Sequence, residues 1–206
     1  MTYPICTAEC VLPPISVKEV LRYAGEKAPS EEVLLLLQEC MAECDGIFGT
    51  KVTYRIFPIE RIDGKTKIGS MEIDSDGLKK NLINCDFVIL FAATVGIGID
   101  RLIGKYANLS PAKALLFHSI GTERVEALCD AFCEKFSTEK NVSLAPRFSP
   151  GYGDFSLEAQ REILLLLNAG STMGIGLSES LLLSPSKSVT ALAGIHFKKE
   201  CESYEF

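Results

Sequence analysis

Apolar side chains recur every three or four positions across residues 31–45, with Val33, Leu37, Cys40, Met41 and Cys44 on one stripe. That period predicts an amphipathic helix. Pro29-Ser30 mark its start, and Glu31 and Glu32 fill a first turn where the helix dipole favours acids. Residues 17–25 also read as helical. "KVTYRIFPIERI" (51–62) and "TKIGSMEI" (66–73) read as two strands joined through Asp63-Gly64. A short helix around 76–83 then leads to "DFVILFAA" (86–93), a buried strand. Helices are expected over 97–107 and 110–137, the second opened by Ser110-Pro111, and over 156–168, capped by Ser156. "LSESLLLS" (177–184) and "SVTALAGIHF" (188–197) are expected to pair around the Ser184-Pro185-Ser186-Lys187 turn. Strands grouped in hairpins with helices between the blocks predict an α+β fold with an antiparallel or mixed sheet, not a doubly wound parallel one. No repeat or low-complexity linker interrupts the chain. One domain over 1–206 is expected, with 1–15 and 198–206 peripheral.

Composition narrows the function. The chain has 206 residues, 47% hydrophobic and 23% charged, which is the balance of a folded protein. Its net charge is -6, with no run of Lys or Arg longer than a pair, so the basic stripe of a nucleic-acid binder is missing. The most apolar run, "FVILFAATVGIGI", is about thirteen residues against the roughly twenty a membrane helix needs. The N-terminus lacks a basic start and is interrupted by prolines, unlike a secretory signal. A cytoplasmic location is expected. Of eight cysteines, six form C-x3-C pairs: Cys6/Cys10, Cys40/Cys44 and Cys129/Cys133. Four-apart cysteines share a helix face, and the last two pairs sit among apolar neighbours, so they read as core thiols rather than metal ligands. Cys6/Cys10 have no clear helical context and stay open.

Few segments offer chemistry. "ATVGIGID" links a buried strand to a helix, yet the third glycine of a dinucleotide fingerprint would fall at Arg101, so it reads as a tight turn. His118 in "ALLFHSIG" reads as a packing residue, and no serine has a nucleophile-elbow context. "SESLLLSPSKSVTA" brings Glu179, Ser180, Ser188 and Thr190 near one turn, a pattern that ordinary turn polarity also explains. "RFSPGYGD" (147–154) is more pointed. An arginine fork matches a carboxylate bidentately, and a Pro-Gly-Tyr-Gly bend can leave backbone groups facing a ligand, with Tyr152 as a wall. A solvated loop with Arg147 lying over Phe148 is the competing reading.

The segment from Arg147 to Phe197 resembles the C-terminal half of the activation domain of cobalamin-dependent methionine synthase. The likeness rests on Arg147, Gly151 and Tyr152, on Ser178-Glu179-Ser180, and on Pro185 followed by Ser188-Val189-Thr190. "TERVEALCDAF" is similar to the family's long helix, with Glu126 at the position of its ligand-facing glutamate. A short free-standing form of the domain would cover roughly residues 16–197. The resemblance implies a C-shaped fold with a twisted antiparallel sheet flanked by helices. It assigns Arg147, Ser149, Gly151, Tyr152 and Glu126 to S-adenosylmethionine, and Glu179, Ser180 and Ser188 to cobalamin or the partner that carries it. The implied role is accessory: a cobalamin-binding methionine synthase subunit is remethylated with S-adenosylmethionine and an electron donor such as flavodoxin. Two other readings are a corrinoid-protein docking or regulatory module without S-adenosylmethionine, and a metal or redox protein built on Cys6, Cys10 and Cys201.

Overall fold

A computed structural model describes residues 3–197 of the chain. The first half runs β1 (Cys6–Ala8), α1 (Val17–Tyr23), α2 (Glu31–Glu43), β2 (Lys51–Ile62), β3 (Lys65–Ile68), β4 (Met71–Ile73), α3 (Asp76–Asn81) and β5 (Phe87–Thr94). There follow α4 (Gly98–Tyr106), α5 (Pro111–Glu139), β6 (Val142–Leu144), α6 (Ala159–Leu166), α7 (Ala169–Met173), β7 (Gly176–Leu177), β8 (Leu183–Ser184) and β9 (Ser188–Phe197). Ser16, Ser30, Ser75 and Ser110 open α1, α2, α3 and α5, each hydroxyl accepting the backbone N–H three residues on. Pro111 fits the first turn of α5 because its missing N–H would have no partner there. The start of α6 differs from expectation. Ser156 accepts the Glu158 N–H, but residues 156–161 form i→i−3 turns, and the helix begins at Ala159.

The fold is α+β, with an antiparallel sheet flanked by helices. The main sheet has the order β4-β3-β2-β5-β9-β6, with β1 added to β2, and every pairing is antiparallel. β5 lies at its centre and is apolar on both sides. Ile89, Phe91 and Ala93 join one core with α2 and α5, while Val88, Leu90 and Ala92 join the other with α3, α6 and α7. Two-sided burial explains why "DFVILFAA" is a continuous apolar run instead of an alternating one.

Two expectations are corrected. "TKIGSMEI" is not one strand; it turns at Gly69-Ser70 into the hairpin β3–β4. The Asp63-Gly64 turn does form, with both residues at positive φ, as a tight two-residue hairpin requires. "LSESLLLS" is not a strand beside β9. Its ends pair with each other as the small β7–β8 ladder, closed around Leu181 at φ 62°. β9 instead runs between β5 and β6. With Ala191, Ala193 and Ile195 in one core and Leu192 in the other, an inner position is the one that buries both of its faces.

The "VGIG" turn packs closely on the backbone. A side chain at Gly98 would collide with the Ile47 carbonyl, so glycine is needed there for approach, and no side chain caps α4. Among the described residues no helix is long and apolar enough to cross a membrane. Cys40, Cys44, Cys85 and Cys129 are buried thiols, Cys6, Cys10 and Cys133 are half-buried, and Cys201 lies outside the described residues.

Candidate functional site

Arg147 owes its position to the edge of β9. Beyond β6 the chain keeps contact with β9 through Ala145 N–H to the Gly194 carbonyl, then through paired bonds between Phe148 and Leu192. The extended backbone alternates its side chains, so Phe148 enters the core with Leu192 while Arg147 points to the opposite side, toward α5. There Arg147 Nη2 donates to Glu126 Oε2 at 2.8 Å, and Nη1 lies 2.9 Å from Asp130 Oδ1. Glu126 and Asp130 are one helical turn apart and share a face. Burial works against the arginine's charge, but Cys129, Asp130, Glu126 and Cys133 raise its pKa above the ordinary value, so it stays cationic. Nη1 is wholly covered yet has no aligned hydrogen-bond acceptor, its contact with Asp130 being one of charge.

The glycine-rich bend after Arg147 corrects part of the expected cradle. Gly151, at φ +87°, donates its N–H to the Phe155 carbonyl, and the Tyr152 N–H goes to the Ser149 carbonyl. These two N–H groups are paired within the loop rather than left open. Tyr152 is 69% exposed, with its ring edge-on to Phe148, and does not line the cleft described below. Ser149 is half-buried at the loop's start. The loop is instead a brace. Phe148 and Phe155 are core anchors, and the Asp154 carboxylate accepts the Ser75 hydroxyl and the N–H groups of Asp76 and Gly77 at the start of α3. The Ser75 hydrogen bond, followed by those backbone donors, holds the Asp154 pKa below its ordinary value. The bend thus fixes where Arg147 sits.

A cleft of about 720 Å³ opens beside Arg147. One wall is the N-terminal segment Val11, Leu12 and Pro13; another is α1, through Glu19, Arg22 and Tyr23; the floor is the α5 face of Glu123, Glu126, Ala127, Asp130, Ala131 and Glu134. This is the size of a small-molecule site. Five acids and two arginines line it, so its field favours a ligand with a cationic part. The N-terminal segment, expected to be peripheral, is tied to α5. Ser16 N–H donates to Glu123 Oε1 (3.0 Å), Arg124 donates to the carbonyls of Pro13 (2.7 Å) and Pro14 (3.3 Å), and Lys135 donates to the Glu9 carbonyl. Glu123 and Arg124 are themselves a buried ion pair. Asp130, Glu123 and Glu134 were legible as a stripe with Glu126 at helical spacing, but surface acids on a helix usually face only water.

The other expected residues lie elsewhere. Glu179 and Ser180 are exposed in the β7–β8 loop, where the Ser178 and Ser180 hydroxyls meet at 2.9 Å. Ser188, half-buried, turns its hydroxyl inward to Thr94 Oγ1 (2.8 Å) and the Pro185 carbonyl (2.7 Å). Sequence reading passed over its neighbour Lys187, which is 5% exposed and lies against Gly121 of α5, where a larger residue would meet its stem. Lys187 Nζ donates to Thr122 Oγ1 (2.8 Å) and contacts His118 Nδ1 (2.9 Å). Burial lowers the Lys187 pKa from 10.5 to about 8, although Asp100 opposes the shift. Burial, then the lysine's charge, also lowers that of His118. Between about pH 8 and 10.5 the unfolded lysine holds a proton that the folded one has lost, so this residue's contribution to stability rises with pH across that window. Relative to a Lys187→Met variant, the wild type should gain stability from pH 8 to 10.5 in urea titrations. A constant difference would refute the burial effect.

No family profile and no curated protein matches the sequence. Among solved structures, the chain is similar to a crystal structure of the MetH reactivation domain bound to AdoHcy. The TM-score is 0.66 at 14% identity, over 98% of this chain and 80% of that one. This chain therefore shares the fold of the MetH reactivation domain.

Proposed function

We propose that the chain is an accessory protein for cobalamin-dependent methionine synthase, binding S-adenosylmethionine in the α5 cleft and supporting reductive remethylation of cobalamin on a partner. The observation that carries this reading is the Arg147 guanidinium held beside the acidic face of α5 in a cleft of ligand size. The shared fold with a domain described as bound to AdoHcy supports it. The residues fit the ligand. The covered, unaligned Nη1 of Arg147 suits a carboxylate, and Glu126 suits the ammonium next to it. Ser149, Gly151 and Tyr152 serve as the frame that sets the arginine. The lining acids favour the sulfonium charge.

This chain's part in the chemistry is to bind and orient; reduced cobalamin on the partner supplies the nucleophile for the methyl group. Among the described residues, the cleft lining includes no cysteine or histidine. Of the thiols around Arg147, Cys133 is pushed up to about 11 and Cys129 higher still by burial, so neither is a nucleophile at neutral pH. Glu179 and Ser180, exposed on their loop, face the partner in this reading, with Ser188 bracing the loop's return into β9. A reductant such as flavodoxin completes the system.

The test is calorimetry with S-adenosylmethionine, followed by transfer of a labelled methyl group. The isolated chain is expected to bind the ligand without consuming it. Transfer is expected only with a cobalamin-loaded partner and a strong reductant together. Turnover by the isolated chain onto a small molecule would make it an ordinary methyltransferase. Absence of binding would leave the docking or regulatory module, a reading favoured by Arg147 being already engaged by two carboxylates.

A further inference from the structure

Building on that assignment of the cleft, we infer that Asp130 is a specificity-determining residue: it occupies Arg147 in place of a ligand carboxylate and gives way when a free α-amino carboxylate enters. The two acids on Arg147 hold it differently. Glu126 accepts an aligned hydrogen bond from Nη2 at 2.8 Å, whereas Asp130 lies 2.9 Å from Nη1 with no such alignment. Glu126 is 39% exposed and Asp130 75%, so Asp130 loses little by turning back to water. Nη1, covered and lacking an aligned acceptor, gains a full charge-assisted bond from an incoming carboxylate.

The exchange also sets the ligand's charge pattern. Releasing Asp130 leaves its charge uncompensated on the same helix face as Glu126 and Glu134. A simple anion would add to that repulsion. A ligand carrying both a carboxylate and a cationic group relieves it, which selects amino-acid-like molecules over plain carboxylates.

The experiment titrates wild type, Asp130→Asn and Asp130→Ala with S-adenosylmethionine, L-methionine and 3-methylthiopropylamine, the amine lacking the carboxylate. Calorimetry gives affinities, and the Arg147 guanidinium nitrogen signals report the exchange directly. Both variants are expected to bind the two carboxylate ligands roughly twofold to fivefold more tightly, the factor an exposed ion pair is worth. The amine should bind no more tightly. Unchanged or weaker carboxylate binding in the variants, or equal tightening of the amine, overturns the inference. If S-adenosylmethionine binds none of the proteins while L-methionine still moves the Arg147 signals more readily in the variants, the adenosyl reading falls and the exchange stands. If S-adenosylmethionine binds wild type and variants alike, the exchange falls and the ligand reading stands. No response of Arg147 to either ligand in any protein overturns both.

Discussion

Glu123→Ala is expected to lower stability by about 3–5 kcal/mol, because it breaks a buried ion pair and leaves the other charge unmatched. Glu123 and Arg124 are 5% and 4% exposed, and their side chains meet at 2.5 Å. Glu123 is also the acceptor for the Ser16 N–H, so its loss orphans a backbone donor at the start of α1 as well. Arg124 keeps the Pro13 and Pro14 carbonyls, but these are dipoles and do not neutralise it. Urea denaturation would measure the loss. Adding Arg124→Met to Glu123→Ala should recover much of it, since removing both charges removes the desolvation penalty. A loss below about 1 kcal/mol would mean that water reaches the pair, in the way it screens exposed ion pairs. The same substitution loosens the segment that walls the cleft, so ligand affinity should fall in the folded fraction too.

Arg147→Ala is expected to weaken S-adenosylmethionine binding more than tenfold. A hydrogen bond to a charged group contributes about 1.5–3 kcal/mol, and each 1.4 kcal/mol is a factor of ten. Arg147→Lys should restore only part of the affinity, because an ammonium lacks the planar fork that meets a carboxylate with two parallel bonds. Stability should change less by comparison, as Asp130 is mostly in water and the half-buried Glu126 can still reach it once the arginine is gone. Calorimetry on the three proteins, with thermal midpoints alongside, separates the two effects. Equal affinity in all three would remove Arg147 from the ligand site.

What the sequence determined by itself is what depends on neighbours in the chain. The serine caps of α2 and α5, Pro111, the Asp63-Gly64 turn and the unbroken apolar run of β5 are local signals, and each appears in the structure where it was read. The arginine beside a glycine-rich bend was legible in the same way, whereas Glu126 on the long helix was singled out only by the family resemblance. Tertiary structure decided the rest. From sequence β9 reads as the partner of the segment before it, and burial of both its faces places it between β5 and β6 instead. Backbone pairing inside the 149–155 loop, which turned an expected cradle into a brace, depends on Phe148 and Phe155 reaching the core. Glu123, Asp130 and Lys187 look like solvated charges in one dimension. Their significance comes from what folding brings against them: Ser16 and the N-terminal segment, Arg147 from β9's edge, and His118 with Thr122. Water solvates such groups equally well wherever they stand in an extended chain. Desolvation and long-range approach are what distinguish them, and neither exists until the sheet has placed α5 against its partners.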